Sequence, residues 1–230
     1  MTRQFPLKLE PHPDYTAADF LNSEANRAAL ALVLAWPEWA LTTAVIWGPA
    51  GSGKTHLAHI WAELAGASVT GVDGFAELSL ESLPEEPHIV LDFAATDIPK
   101  PDERRLFHLI NMIREKYGAL LLVARTAPSR WGVALPDLSS RLKALPSAEV
   151  SPPDDGLFAA VLAKQFADRQ LVVDRETVDY IAVRSERSFA AARRLVARLD
   201  QAGLASRRPI GKRLAGEVIE ALEAESGETG

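Results

Sequence analysis

Between residues 19 and 146, short apolar runs alternate with stretches in which apolar residues recur every three or four positions. The runs at 43–47, 68–72, 88–92 and 119–124 have the length and β-branched content of buried strands. Between the last two, Leu106, Leu109, Ile110, Ile113 and Tyr117 mark one face of an amphipathic helix, with Pro101 at its start and Gly118 just past its end. Strands alternating with helices predict an α/β fold, a parallel sheet covered by helices. The pattern changes at Ser151-Pro152-Pro153-Asp154-Asp155-Gly156, which reads as a hinge, and the rest is helical in period: about 155–169, 174–184, 187–202 and 210–224. Asp174 and Ser188 suit N-cap positions and Gly203 a terminator. The predicted organisation is an extended tail over 1–13, an α/β base over 14–152, a helical lid over 153–225 and a disordered tail over 226–230.

The chemistry concentrates in Gly48-Pro49-Ala50-Gly51-Ser52-Gly53-Lys54-Thr55, which fits the phosphate-binding pattern G-x-x-x-x-G-K-[ST] in full. Glycines without Cβ atoms accept positive φ, so consecutive amides can turn inward around a phosphate. Lys54 supplies a cation for the β- and γ-phosphates, and the Thr55 hydroxyl can ligate Mg²⁺. The run lies between the strand at 43–47 and a helix beginning near His56, whose positive end faces the phosphates. A nucleoside di- or triphosphate is therefore the expected ligand.

A site of this kind takes a second Mg²⁺ contact from an Asp that ends a neighbouring strand, and Asp92 closes the run His88-Ile89-Val90-Leu91. A P-loop base followed by a small helical bundle resembles the AAA+ module. In AAA+ hydrolases the next residue is an acid that orients the attacking water. Here it is Phe93, which cannot accept a proton, and Asp97 reads as a surface loop residue. Self-contained ATP turnover is expected to be weak or absent.

Charge and composition narrow the classes. A net charge of −6 argues against broad coating of nucleic acid. No apolar run reaches the roughly 18 residues a membrane span needs, and zero cysteines exclude thiolate zinc sites and suit a cytoplasmic protein. His56 and His59 share a helix face without a third ligand. The five tryptophans read as packing residues, since no basic groove accompanies them.

Several segments resemble the DnaA branch of AAA+ proteins, and within it the Hda-type regulators of replication initiation. The P-loop continues as Gly53-Lys54-Thr55-His56-Leu57; Glu103-Arg104-Arg105-Leu106-Phe107-His108-Leu109-Ile110-Asn111 resembles the helix after the acidic strand; Leu135-Pro136-Asp137-Leu138-Ser139-Ser140-Arg141-Leu142 resembles the run that carries an arginine finger. Asp19, Phe20 and Asn26 resemble the segment beside the adenine. The resemblance implies His56 beside the nucleotide, Arg141 acting in trans, Thr126 as the polar sensor of the γ-phosphate, and ADP or ATP with Mg²⁺ as cofactors. A structural ion pair is the alternative for Arg141, and loop capping for Thr126. The family's lid arginine falls on Ala190, with Arg187, Arg193 and Arg194 nearby or forming a solvated face.

The chain reaches Gly230 just past its lid, so no helix-turn-helix domain and no sequence-specific DNA binding are expected. Gln4-Phe5-Pro6-Leu7-Lys8-Leu9 resembles the peptide by which Hda-type proteins dock on the DNA polymerase III sliding clamp: Phe5, Leu7 and Leu9 would enter an apolar groove beside the Gln4 amide. Pro6 and the lack of a distal aromatic depart from that motif. The implied partners are DnaA and the clamp, with self-association open. The implied function is inactivation of DnaA by promoting hydrolysis of its ATP. The competing reading is a DnaA-like ATPase that loads a helicase or remodels DNA. A P-loop small-molecule kinase fits the post-sheet bundle and the 135–142 run less well.

Overall fold

The computed structural model describes residues 20–94, 102–206 and 208–227. Five parallel strands, β1 (Thr43–Trp47), β2 (Ser68–Gly71), β3 (His88–Asp92), β4 (Ala119–Ala124) and β5 (Ser147–Glu149), form a sheet in the order β2-β3-β4-β1-β5. Central β4 is buried along its whole length, which explains its unbroken apolar run Ala-Leu-Leu-Leu-Val-Ala. The side-chain alternation of a strand then assigns two cores. Ala44, Ile46, Val90, Leu121 and Val123 face α1 (Arg27–Leu34) and α2 (Lys54–Ala65). Val45, Ile89, Leu91, Leu120 and Leu122 face α3 (Val72–Glu77), α4 (Glu103–Glu115) and α5 (Pro136–Ala144).

A third core belongs to the lid. Phe158, Leu162 and Phe166 of α6 (Asp155–Asp168) pack with Val178 and Ile181 of α7 (Arg175–Arg184), Leu195 and Leu199 of α8 (Phe189–Ser206), and Leu214 and Val218 of α9 (Lys212–Gly227). Asp154 and Asp174 cap α6 and α7 by accepting from Leu157 N and Thr177 N, each at 2.7 Å. Ser188 Oγ accepts from Ala191 N at 3.0 Å, so both N-caps named from the sequence are formed.

The helix ends differ from expectation at instructive places. Gly118 lies just past the end of α4 as expected, its amide donating to Ile113 O at 2.8 Å, but the left-handed residue of that turn is Tyr117 (φ 55°), and a Cβ on Gly118 would lie 2.2 Å from the Pro87 carbonyl oxygen. Gly203 does not stop α8, which continues to Ser206. Strand β2 ends at Gly71, and Val72 opens α3. Helix α9 runs to Gly227, into the stretch expected to be disordered. Elements α1, α3, α5 and β5 had no prediction.

Candidate functional site: the phosphate-binding loop and its two flanks

Backbone pairing sets the loop at the carboxyl end of the sheet. Gly48 N donates to Ala124 O at 3.2 Å, and Val150 N to Trp47 O at 2.7 Å, so the loop starts between β4 and β5. That crevice at the strands' carboxyl ends is where open α/β sheets bind ligands. Gly51 (φ 71°) and Gly53 (φ 97°) take left-handed conformations, which turn the chain around the loop. Gly53, Lys54 and Thr55 amides make no backbone hydrogen bond among the described residues, which leaves three donors at the start of α2.

Lys54 is buried, and its ammonium folds back onto the Pro49 carbonyl oxygen at 2.6 Å, with Ser52 Oγ at 3.5 Å. Burial pushes the Lys54 pKa down to about 8, against a counteracting pull from Asp92 and a further push from Arg125. A buried cation with one neutral carbonyl at close range, beside unsatisfied amides, fits a polyphosphate. Thr55 is exposed at the same helix end, and Asp92 stands at the end of β3 with its Oδ1 accepting from Ala94 N at 2.7 Å. Together they could supply two oxygen ligands to Mg²⁺, the rest coming from phosphates and water. No larger cluster of metal-ligating side chains occurs among the described residues.

Alternation separates the two residues at the strand end. Asp92 falls, like Val90, on the α2 side of the sheet. Phe93 is fully buried on the other side, edge-on to Phe75 at 5.9 Å between ring centres. Its position is therefore filled by core packing rather than by a polar group near the phosphates. Asp97, Asp19 and the tail residues Gln4, Phe5, Leu7 and Leu9 lie outside the described residues.

Two neighbours complete the pocket. Phe20 meets His56 edge-on at 5.2 Å, an aromatic wall beside the first turn of α2. Asn26 is buried and holds the preceding loop, giving Nδ2 to Leu21 O at 2.9 Å and accepting from Ser23 N at 3.0 Å. Across the loop, Phe189 N donates to Gly51 O at 2.8 Å, which seats the lid on the phosphate loop. The lid arginines stay at the surface: Arg187 pairs with Asp155 at 2.8 Å and Arg194 with Glu186 at 3.5 Å, while Arg193 is exposed. Ala190 is exposed too.

Thr126 is half-buried beyond β4, and its carbonyl accepts from Trp131 Nε1 at 2.8 Å. Its neighbour Arg125, whose Nε donates to the Ala94 carbonyl, acts electrostatically on Lys54 alongside the larger effect of Asp92. Sequence reasoning missed Arg125. The signal was available, since a cation directly follows a fully apolar strand adjacent to β1.

Arg141 is placed elsewhere. Its guanidinium donates to Asn111 Oδ1 and lies over the Phe107 ring, 4.5 Å from the centroid. It shares a cavity with Thr43, His88 and Ala119, the first residues of β1, β3 and β4. The length of β1, on the order of 15 Å, therefore separates it from its own phosphate loop. At the start of α5, buried Glu103 accepts from Ala134 N at 3.0 Å and Leu135 N at 2.9 Å, locking α5 to α4.

Comparison with known proteins agrees with this architecture. Domain III of the Thermotoga maritima replication initiation protein DnaA superposes with a TM-score of 0.78 at 18% identity, covering 91% of this chain and 97% of that one. The fold is that of an AAA+ module. AMPPCP-bound DnaA from Aquifex aeolicus gives a TM-score of 0.67 at 20% identity (82% of this chain, 66% of that one). The Thermotoga maritima RuvB Holliday junction branch migration motor gives 0.69 at 22% identity (90% and 72%). By sequence, an uncharacterised Haemophilus influenzae protein is 26% identical over 218 residues, covering 90% of this chain and 94% of that protein. DnaA of Lacticaseibacillus paracasei is 24% identical over 242 residues, and this chain spans about half of it (54%). No protein-family model matches the chain. Among the described residues no helix is long and apolar enough to cross a membrane.

Proposed function

We propose that this chain is a nucleotide-binding regulator of replication initiation, of the Hda type, that acts on DnaA-bound ATP. The observation that carries the reading is the position of Arg141, at the opposite edge of the sheet from Lys54 and Asp92. An arginine so placed cannot serve its own phosphates and is held ready for another molecule's by Asn111 and Phe107. A guanidinium bridging the γ-phosphate oxygens stabilises the charge of the transition state and is worth a rate factor on the order of 10³–10⁵. The buried Phe93 supports the same division of labour: this chain binds ADP or ATP with Mg²⁺, turns it over weakly, and the bond broken lies in DnaA.

Within the chain's own site, Lys54 and the amides of Gly53 to Thr55 would hold the phosphates, with Thr55 and Asp92 toward Mg²⁺. Bound Mg²⁺ would screen phosphate charge. The tail residues Gln4, Phe5, Leu7 and Leu9 would tether the regulator to the sliding clamp and raise its concentration near replicating DNA in the cytoplasm. The test is hydrolysis of DnaA-bound ATP with this protein, ADP and clamp on DNA. The expected stimulation is lost in Arg141→Ala and in the Gln4→Ala/Leu7→Ala tail variant; undiminished stimulation in both contradicts the reading.

The likeness to the RuvB motor favours a second reading, an ATPase that loads a helicase or remodels DNA. It predicts intrinsic turnover stimulated by DNA, and DNA binding at low salt.

A further inference from the structure

A cavity of about 860 Å³ opens at the amino-terminal edge of the sheet, at the opposite pole from the phosphate loop. Its volume falls within the range of small-ligand sites. The walls are apolar and aromatic, with Trp36 and Trp39 on one side and Ile110 and Leu145 on the other. The trio behind them is rigid: Trp39 stacks on buried Trp61 at 5.2 Å, and Trp36 meets Trp61 edge-on at 6.2 Å. Trp39 Nε1 is engaged by Leu32 O at 2.7 Å, which fixes the indole.

Two arginines, Arg114 from the last turn of α4 and Arg141 from α5, line the same space, against one acidic residue, Glu86. The charge excess is positive in a protein whose net charge is −6. Thr43 lines the cavity at the start of β1 and is itself buried. His88, also on the wall, is bonded through Nδ1 to the Ala65 carbonyl at 2.7 Å; that ring nitrogen must donate, which leaves Nε2 the acceptor of the neutral ring.

We propose that this cavity binds a small amphipathic carboxylate: an aromatic or acyl body between the tryptophans and Ile110, and an anionic head at Arg114 and Arg141. The site stands on its own geometry. Its consequence rests on the trans role proposed for Arg141, since an anion seated there would withdraw that guanidinium from a partner's phosphates.

The experiment measures binding directly, without hydrolysis, so it separates the site from the trans role. Full-length protein is titrated with 8-anilinonaphthalene-1-sulfonate, read by energy transfer from tryptophan, then challenged with decanoate and with decanol. Saturable one-to-one binding is expected, with decanoate displacing the probe at least about tenfold more effectively than the uncharged alcohol, the size of one lost charged contact. Arg114→Ala should weaken probe and decanoate at least about tenfold, and Ala144→Trp, at the exposed rim, should block both. Unchanged binding of a fluorescent ADP analogue shows that these variants are folded. Absence of binding by wild type, equal displacement by decanol, or unaltered binding in both variants overturns the proposal. So does displacement by an acidic aromatic peptide but not by decanoate, which would make this a protein-binding surface.

Discussion

The amide of Phe189, first residue of the lid's α8, donates to the carbonyl of Gly51 in the phosphate loop at 2.8 Å. The approach is close enough to specify both glycines. A Cβ on Gly51 would lie 2.5 Å from Ser188 Cβ, and one on Gly53 would lie 2.9 Å from the Phe189 ring. The lid therefore sits on the element that binds phosphate, and any movement of the loop on nucleotide binding is felt by α8.

Gly51→Ala should undock the lid. Its φ of 71° costs a non-glycine residue about 1–2 kcal/mol, and the Ser188 contact adds to that. The expected outcome is a lower melting temperature and faster tryptic cleavage around Arg187, the lid residue next to Ser188. Phe189→Ala keeps the backbone hydrogen bond and should give the milder form of both effects.

The buried Lys54 makes nucleotide binding and stability respond to pH in opposite directions. Its folded-state pKa of about 8 lies below the ordinary 10.5, so burying the charged form opposes folding. That penalty is complete below pH 8 and is relieved as pH rises from about 8 to 10.5. The unliganded protein should gain stability over this window relative to Lys54→Met, which has no such group. A phosphate favours the ammonium, so ADP affinity should fall over the same window. Thermal unfolding of the unliganded protein and of Lys54→Met at pH 7 and pH 9 checks the first sign, and calorimetric titration with ADP at the same pH values checks the second.

Phe93 occupies a core position, and restoring an acid there should not restore catalysis. Phe93→Glu puts a charge where the side chain is wholly buried against Phe75, with an expected loss of several kcal/mol. Phe93→Leu should cost about 1–2 kcal/mol. Urea denaturation measures the difference, and neither variant is expected to gain turnover of its own bound ATP.

Asn111 and Phe107 hold Arg141 through a hydrogen bond and a cation–π contact. Asn111→Ala should reduce stimulation of DnaA-bound ATP hydrolysis by about tenfold, the effect of misplacing a charge-stabilising group by a small distance. Binding of ADP by the variant should be unchanged, because the pair lies at the far edge of the sheet.

The strands were legible because β1, β3 and β4 are buried on both faces and read as unbroken apolar runs. The phosphate loop was legible because its chemistry requires fixed residue types in fixed order. Strand β5 was not: at three residues, Ser147–Glu149, with only Ala148 buried, it exists through its pairing with β1 and carries no pattern of its own. Helix α1 was hidden because only Ala29 and Val33 of its apolar residues are fully buried, so no single face stands out, and the segment has no side-chain cap. Arg125 was passed over because its effect on Lys54 acts through space between the ends of two strands, and sequence alone does not say how near those ends lie. The separation of Arg141 from Lys54 could not be read from sequence, since it depends on α5 crossing to the opposite edge of the sheet.

The most direct test of the account labels the two nucleotides separately. ATP carrying one phosphorus isotope is loaded on this protein and ATP carrying another on DnaA, and phosphate release from each is followed in one mixture with clamp on DNA. The account predicts release from DnaA alone, lost in Arg141→Ala while ADP binding by the variant persists. Release from this chain's own ATP, at a rate indifferent to Arg141→Ala, would contradict it.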